Sequence, residues 1–171
     1  MSIHRQIAEA MSNGKLVEMA PVGGGPQLRR VIAIPDVVSE LYGRFAWSAE
    51  EKAEMAGCVS KLEEFMVGRI FFVSMQPFNK PRKIDLALTS PPEWGIFAIR
   101  VYERRPQFRL FGAFADKDCF ILLCVRNREA LLHYDDGVED AHDLWVRLFS
   151  IRPPMMRKTI HDLASRCRQA V

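Results

Sequence analysis

Three apolar segments follow one another between Gly95 and Arg126, and no other feature limits the fold as much. They are GIFAIRVY (95–102), FRLFGAFA (108–115) and CFILLCVR (119–126). Each is rich in β-branched and aromatic residues and is shorter than an ordinary helix. The connections ERRPQ and Asp116-Lys117-Asp118 are short and polar, so the three segments predict an antiparallel meander. Gly112 inside the middle segment predicts a bulge or a close approach by another group. The last segment is apolar almost throughout, which predicts a central strand buried on both faces.

The meander also sets a question of register. The end of its third strand lies beside the start of its second, so Arg109 and Arg126 are near neighbours. A two-residue turn pairs Arg109 with Arg126, and a three-residue turn pairs Arg109 with Val125. One residue of slip moves a side chain to the other face, and the sequence leaves both pairings open. Arg100 lies in the first strand and Arg128 just beyond the third. Guanidinium groups crowded together repel unless an anion joins them, and their forks suit phosphate oxygens. The same arginines can instead form strand-end salt bridges with Glu103, Asp116 or Glu129.

Around the meander the reading is helical. Ile3, Ile7 and Met11 give residues 2–11 a weak helical period. PVGGGPQ (21–27) breaks structure and has neither Walker nor Rossmann spacing. RRVIAI (29–34) reads as a short strand. Asp36 caps a helix carrying Val38, Leu41, Tyr42 and Phe45. A second helix starts at Ser48, with Glu51 completing a capping box, and ends at Gly68. Closely joined around Trp47, the two predict an antiparallel helical hairpin. IFFVSM (70–75) is a strand or a buried extension of that helix, and KIDLALTS (83–90) sits in a proline-bounded connector. Residues 129–134 are ambiguous. A helix is expected over 139–149, and a closing helix over 158–170, where Ile160, Leu163, Ala164 and Cys167 share a face.

With 171 residues, 49% hydrophobic and 26% charged, the chain suits one domain. The expected division is an N-terminal extension (1–28), a core (29–130) and a C-terminal helical extension (131–171). The fold class expected is α+β. It has a small, mainly antiparallel sheet of three to five strands, the helical hairpin packed on it, and a C-terminal helix. No apolar run reaches the roughly 20 residues of a membrane span, and the charged first residues lack the apolar core of a secretory signal. A cytoplasmic location without membrane contact is the expectation. Cys58, Cys119 and Cys124 read as core residues in a reducing compartment.

Net charge is +3, but it is unevenly spread. Basic blocks at 80–109 and 152–168 flank the acidic stretch HYDDGVEDAHD (133–143). Such blocks can line a polyanion or lie as solvated faces. His133, Asp135, Asp136, Glu139, Asp140, His142 and Asp143 form the only metal-like concentration. It has no fixed ligand spacing and equally suits the start of a helix. No metal and no cofactor are expected.

The order of two helices, a proline-bounded connector and EWGIFAIRVYERRPQFRLFGAFADKDCFILLCVRNR resembles the RelE/ParE toxin superfamily, in its HigB-like, phage-derived branch. There the second strand reads like "LWELR" and the third like "YRVLYFF", followed by an apolar strand closing in a basic residue. The pattern covers roughly residues 31–130. The resemblance implies a toxin of a toxin–antitoxin system that binds and cleaves mRNA in the ribosome without metal, neutralised by a small antitoxin. It implies catalytic roles for Arg100, Arg109, and Arg126 or Arg128, which would hold the scissile phosphate. The alternative is a non-catalytic protein- or RNA-binding module on the same sheet. Three departures bear on catalysis. Ile96 and Ala98 stand where many members carry lysines, the Lys-Lys-Thr run is missing, and only His133 and Tyr134 are near enough to act as general base.

Overall fold

The meander expected between Gly95 and Arg126 forms the middle of a larger sheet. The computed structural model describes residues 1–43, 48–78, 83–102, 106–131, 133–154 and 158–170. The strands are β1 (Val17–Met19), β2 (Arg30–Ala33), β3 (Phe71–Ser74), β4 (Leu86–Leu88), β5 (Phe97–Val101), β6 (Phe108–Asp116), β7 (Cys119–Asn127) and β8 (Cys167–Gln169). They lie in one sheet in the order β1-β2-β7-β6-β5-β4-β3-β8. β5, β6 and β7 pair antiparallel as expected, and β7 is central and buried along most of its length. β2 and β7, β3 and β4, and β3 and β8 pair parallel.

The fold class expected from sequence is thereby corrected. The sheet has eight strands and is mixed, and it is not a small antiparallel sheet carrying an N-terminal helical hairpin. Among the described residues, helices cover both faces. α2 (Pro35–Leu41), α3 (Ala49–Met66) and the short α5 (Ile160–Leu163) share one core with Phe71, Phe97, Phe114 and Phe120. α1 (Ile3–Ser12) and α4 (Tyr134–Leu148) share a second core with Ile96, Ala98, Phe111, Ile121 and Leu123. The sequence concealed this for a physical reason. β1, β4 and β8 have three residues each, too few to show an alternation, and β8 is held by β3, far away in the sequence. The joint around Trp47 and the Glu51 side chain lie outside the described residues.

The closing helix expected over 158–170 is also corrected. Only α5 is helical, held by a capping box in which Thr159 and Asp162 bond each other's backbone N–H. Arg166 then adopts a left-handed conformation, φ 55°, which a helix does not allow. The chain turns there and adds β8 beside β3. The polar contacts that force the turn come from Asp118, whose carboxylate accepts the N–H and the hydroxyl of Ser165, both at 2.6 Å.

Gly112 sits at a register shift, as the sequence suggests. A Cβ there would run into the Ile121 carbonyl oxygen and come within 2.7 Å of the Phe120 ring. Backbone cannot yield as a flexible side chain does, so Gly112→Ala is expected to lose ~1–3 kcal/mol. Urea unfolding checks this, and a variant as stable as the wild type would show that β7 can shift. Among the described residues no helix is long and apolar enough to cross a membrane.

Candidate functional site

The register left open by the sequence is resolved by two shifts that cancel. Asp116 pairs with Cys119 across a two-residue turn. The ladder slips by one residue between Phe114 and Asp116 and slips back between Phe111 and Gly112. Arg109 therefore stands opposite Arg126, and on its other side opposite Arg100. Ile99, Val101, Phe108, Leu110 and Val125 belong to the first core. The alternation of strands then puts Arg100, Arg109 and Arg126 on the second face, in one row across three strands. α4 starts on this face with Tyr134.

The arginines are not equivalent. Arg126 Nη2 meets Asp140 Oδ2 of α4 at 2.8 Å, so its charge has a partner. Arg128 lies over the Tyr134 ring, 5.3 Å from its centre, and Arg100 lies 5.9 Å from the centre of the Tyr102 ring. Arg109 is only 5% exposed. Its Nη1 donates to its neighbour's carbonyl, Phe108 O, at 2.9 Å, and its Nη2 reaches Gln107 Oε1 at 3.4 Å. It is also within hydrogen-bonding reach of the Tyr134 hydroxyl. Burial first, then the charge of Arg100 and further that of Arg128, push the Arg109 pKa down to about 10, against the pull of Tyr134. Among the described residues, no carboxylate forms an ion pair with Arg100, Arg109 or Arg128. Glu103, one expected partner, lies outside the described residues.

A second buried arginine shows what a structural role looks like in this fold. Arg29 is 0% exposed. It donates to Phe65 O and Arg69 O at the end of α3, both at 3.0 Å, and to Ser165 O. Asp118 lies 3.9 Å from its Nε, and the Phe65 ring lies 4.7 Å from its guanidinium carbon. Every direction is met by an oxygen or a ring. Arg109 by contrast, beyond the Phe108 and Gln107 oxygens, faces two further cations and a phenol. A buried cation disfavoured by its neighbours is a receptor for an anion.

Tyr134 completes the cluster. Burial pushes its pKa up, and although Arg109, Arg100 and Arg128 pull it down, the net shift is upward. Its hydroxyl stays protonated at neutral pH and can give its hydrogen to an acceptor. Its ring is fixed edge-on against Phe111, with centroids 5.6 Å apart. The rest of the acidic stretch is spent along α4. Asp135 and Asp136 lie in its first turn, and His142 stacks on Trp94 at 4.2 Å. Among the described residues, no group of three or more His, Cys, Asp or Glu side chains is placed to hold a metal ion.

Sequence reasoning did not find Arg29 or the buried pair of Lys61 and Asp85, 2.7 Å apart. Lys61 also lies 5.1 Å from the centre of the Phe71 ring and 5.6 Å from that of Tyr102. Its position was a sign, since Cys58 and Phe65 place it on the apolar stripe of α3. Comparison with protein-family models, with curated proteins and with solved structures gives no match to this chain.

Proposed function

We propose that the chain is an RNA-binding module that grips a backbone phosphate between Arg100, Arg109 and Arg128, with the Tyr134 hydroxyl as a further donor. One observation carries the reading. A guanidinium 5% exposed lies beside two others, with no carboxylate paired to any of them among the described residues. A phosphate would remove the mutual repulsion and take several charge-assisted hydrogen bonds at once. Backbone contacts of this kind supply most of the affinity of nucleic-acid binding that is indifferent to sequence.

Binding is favoured over cleavage by the state of Tyr134. Cleavage by the RNA's own 2′-hydroxyl needs a group to accept its proton. A phenol whose pKa burial raises stays protonated and acts as a donor, and Tyr134 is the phenol beside the arginine cluster.

Fluorescence anisotropy with labelled single-stranded RNA tests the proposal. Arg109→Gln is expected to weaken binding at least ~10-fold, the loss of a charged hydrogen-bonding group. Arg126→Gln should stay within about 2-fold, because Asp140 already answers that charge. Equal affinity of wild type and Arg109→Gln would sink the proposal. The pH dependence follows from the same group. Binding needs Arg109 charged, and its pKa in the free protein is about 10. Affinity for sulfate, whose charge does not change in this range, should be level below that value and fall as the pH rises through it.

A further inference from the structure

We infer that a single-stranded nucleic acid held at the arginine cluster continues across the same sheet face toward β3 and β8, stacking a base on Phe72 and setting a further phosphate against Arg168. The inference rests on the phosphate reading above and adds the path and a second subsite.

Phe71 and Val73 point into the first core, so Phe72 between them stands on the second face, with Arg100 and Arg109. It is 40% exposed, which is unusual for a phenylalanine within a strand. Its register places it in the same row. Asp85 N–H donates to Phe72 O at 2.8 Å, and Arg100 N–H donates to Asp85 O at 2.8 Å. One backbone residue thus joins Phe72 to Arg100. With strands about 4.8 Å apart, Phe72 stands about 10 Å from Arg100 and about 14 Å from Arg109 along the sheet. Arg168 is its direct partner on β8 and is exposed.

The row therefore reads cation, aromatic ring, the Asp85 carboxylate, then three further cations, the last of which, Arg126, is paired with Asp140. The single carboxylate within it, Asp85, does not oppose an anion. It is 7% exposed, accepts from Lys61 Nζ at 2.7 Å and accepts from the Phe72 N–H at 2.9 Å. Among the described residues no carboxylate pairs with Arg168. Cations that track a backbone with a ring set between them are the usual construction for single strands, because every base has a face to stack. An acidic peptide would answer the charges but gives the ring no flat partner.

The test compares a uridine dinucleotide with an octanucleotide on the full chain. Phe72→Ala should leave dinucleotide affinity unchanged and weaken the octanucleotide roughly 10-fold. Phe72→Leu should weaken it too, since an aliphatic side chain keeps the apolar contact and loses the stack. Arg168→Gln should lower the salt dependence of octanucleotide binding by about 0.7 in log–log slope, the share of one phosphate on a single strand. Octanucleotide binding that ignores Phe72→Ala, or that Phe72→Leu restores, overturns the inference while the phosphate site stands. An acidic peptide that binds and depends on Phe72, with the octanucleotide indifferent to it, also overturns it. Only indifference of both oligonucleotides to Arg109→Gln removes the phosphate site itself.

Discussion

Replacing Arg109 by methionine is expected to make the free protein more stable, by ~1–3 kcal/mol, while abolishing its response to phosphate. Most large-to-apolar changes at buried polar positions are harmful, so the sign is the informative part. Folding brings the pKa of Arg109 down from the ordinary arginine range to about 10. A cation whose folded pKa is depressed binds its proton less well in the native state. Its charge therefore opposes folding at every pH below about 10, and the opposition fades only as the pH rises above that value toward the ordinary arginine range. Methionine fills much of the same volume without the charge or the repulsion from Arg100 and Arg128. Urea unfolding at pH 7 should place the variant above the wild type, and the gap should close above pH 10. Pyrophosphate at about 100 times its Kd should add ~2.7 kcal/mol to the wild type and nothing to the variant. If the variant is less stable and pyrophosphate stabilises neither protein, Arg109 is a structural residue and the site is not a site.

That combination, a residue that weakens the fold and serves a ligand, is difficult to see in a sequence. The meander was legible because β5, β6 and β7 each carry at least five consecutive strand residues and short connections. The crowding of Arg109 and Arg126 was legible for the same reason. Their facing was not, because it depends on two shifts of one residue, at Gly112 and near Asp116, and only the first leaves a mark in the sequence. The difference between Arg126 and Arg109 was hidden as well. It rests on Asp140, which α4 carries onto one arginine and not onto the other. The parallel pairings at β2, β3 and β8 lie beyond local pattern, since nothing in three residues names a partner more than 90 positions away in the case of β3 and β8. The residues of the acidic stretch separate along α4, where Asp135 and Asp136 lie in the first turn, Asp140 pairs with Arg126 and His142 stacks on Trp94.

The C-terminal segment is where tertiary contact overrode the local pattern most fully, and it makes Arg29 the residue whose loss should be felt most. Arg29→Met is expected to destabilise the protein by ~3–5 kcal/mol, a large part of the ~5–15 kcal/mol that holds a domain together. Three elements meet at this one side chain. It takes the Phe65 and Arg69 carbonyls at the end of α3, and so serves as that helix's cap. It takes the Ser165 carbonyl, and so fixes the turn into β8. It faces Asp118, which holds the same serine from the other side. Methionine would take this donor from the Arg69 and Ser165 carbonyls, leave Phe65 O with the Gly68 N–H alone, and leave Asp118 without its nearest cation. Lysine should rescue little, since a single ammonium cannot reach carbonyls on three sides as the planar fork does. The contrast with Arg109 is the test of the whole reading. Both are buried arginines, and the substitution is the same. Burial lowers the pKa of both, but Arg29 has carbonyl oxygens on three sides and the charge of Asp118, whereas Arg109 has Arg100 and Arg128 beside its oxygen partners and no carboxylate paired to it among the described residues, so the Arg109 variant should gain stability and the Arg29 variant lose it. A Met variant at position 29 within ~1 kcal/mol of the wild type would mean that burial alone, and not its partners, decides what an arginine does in this fold.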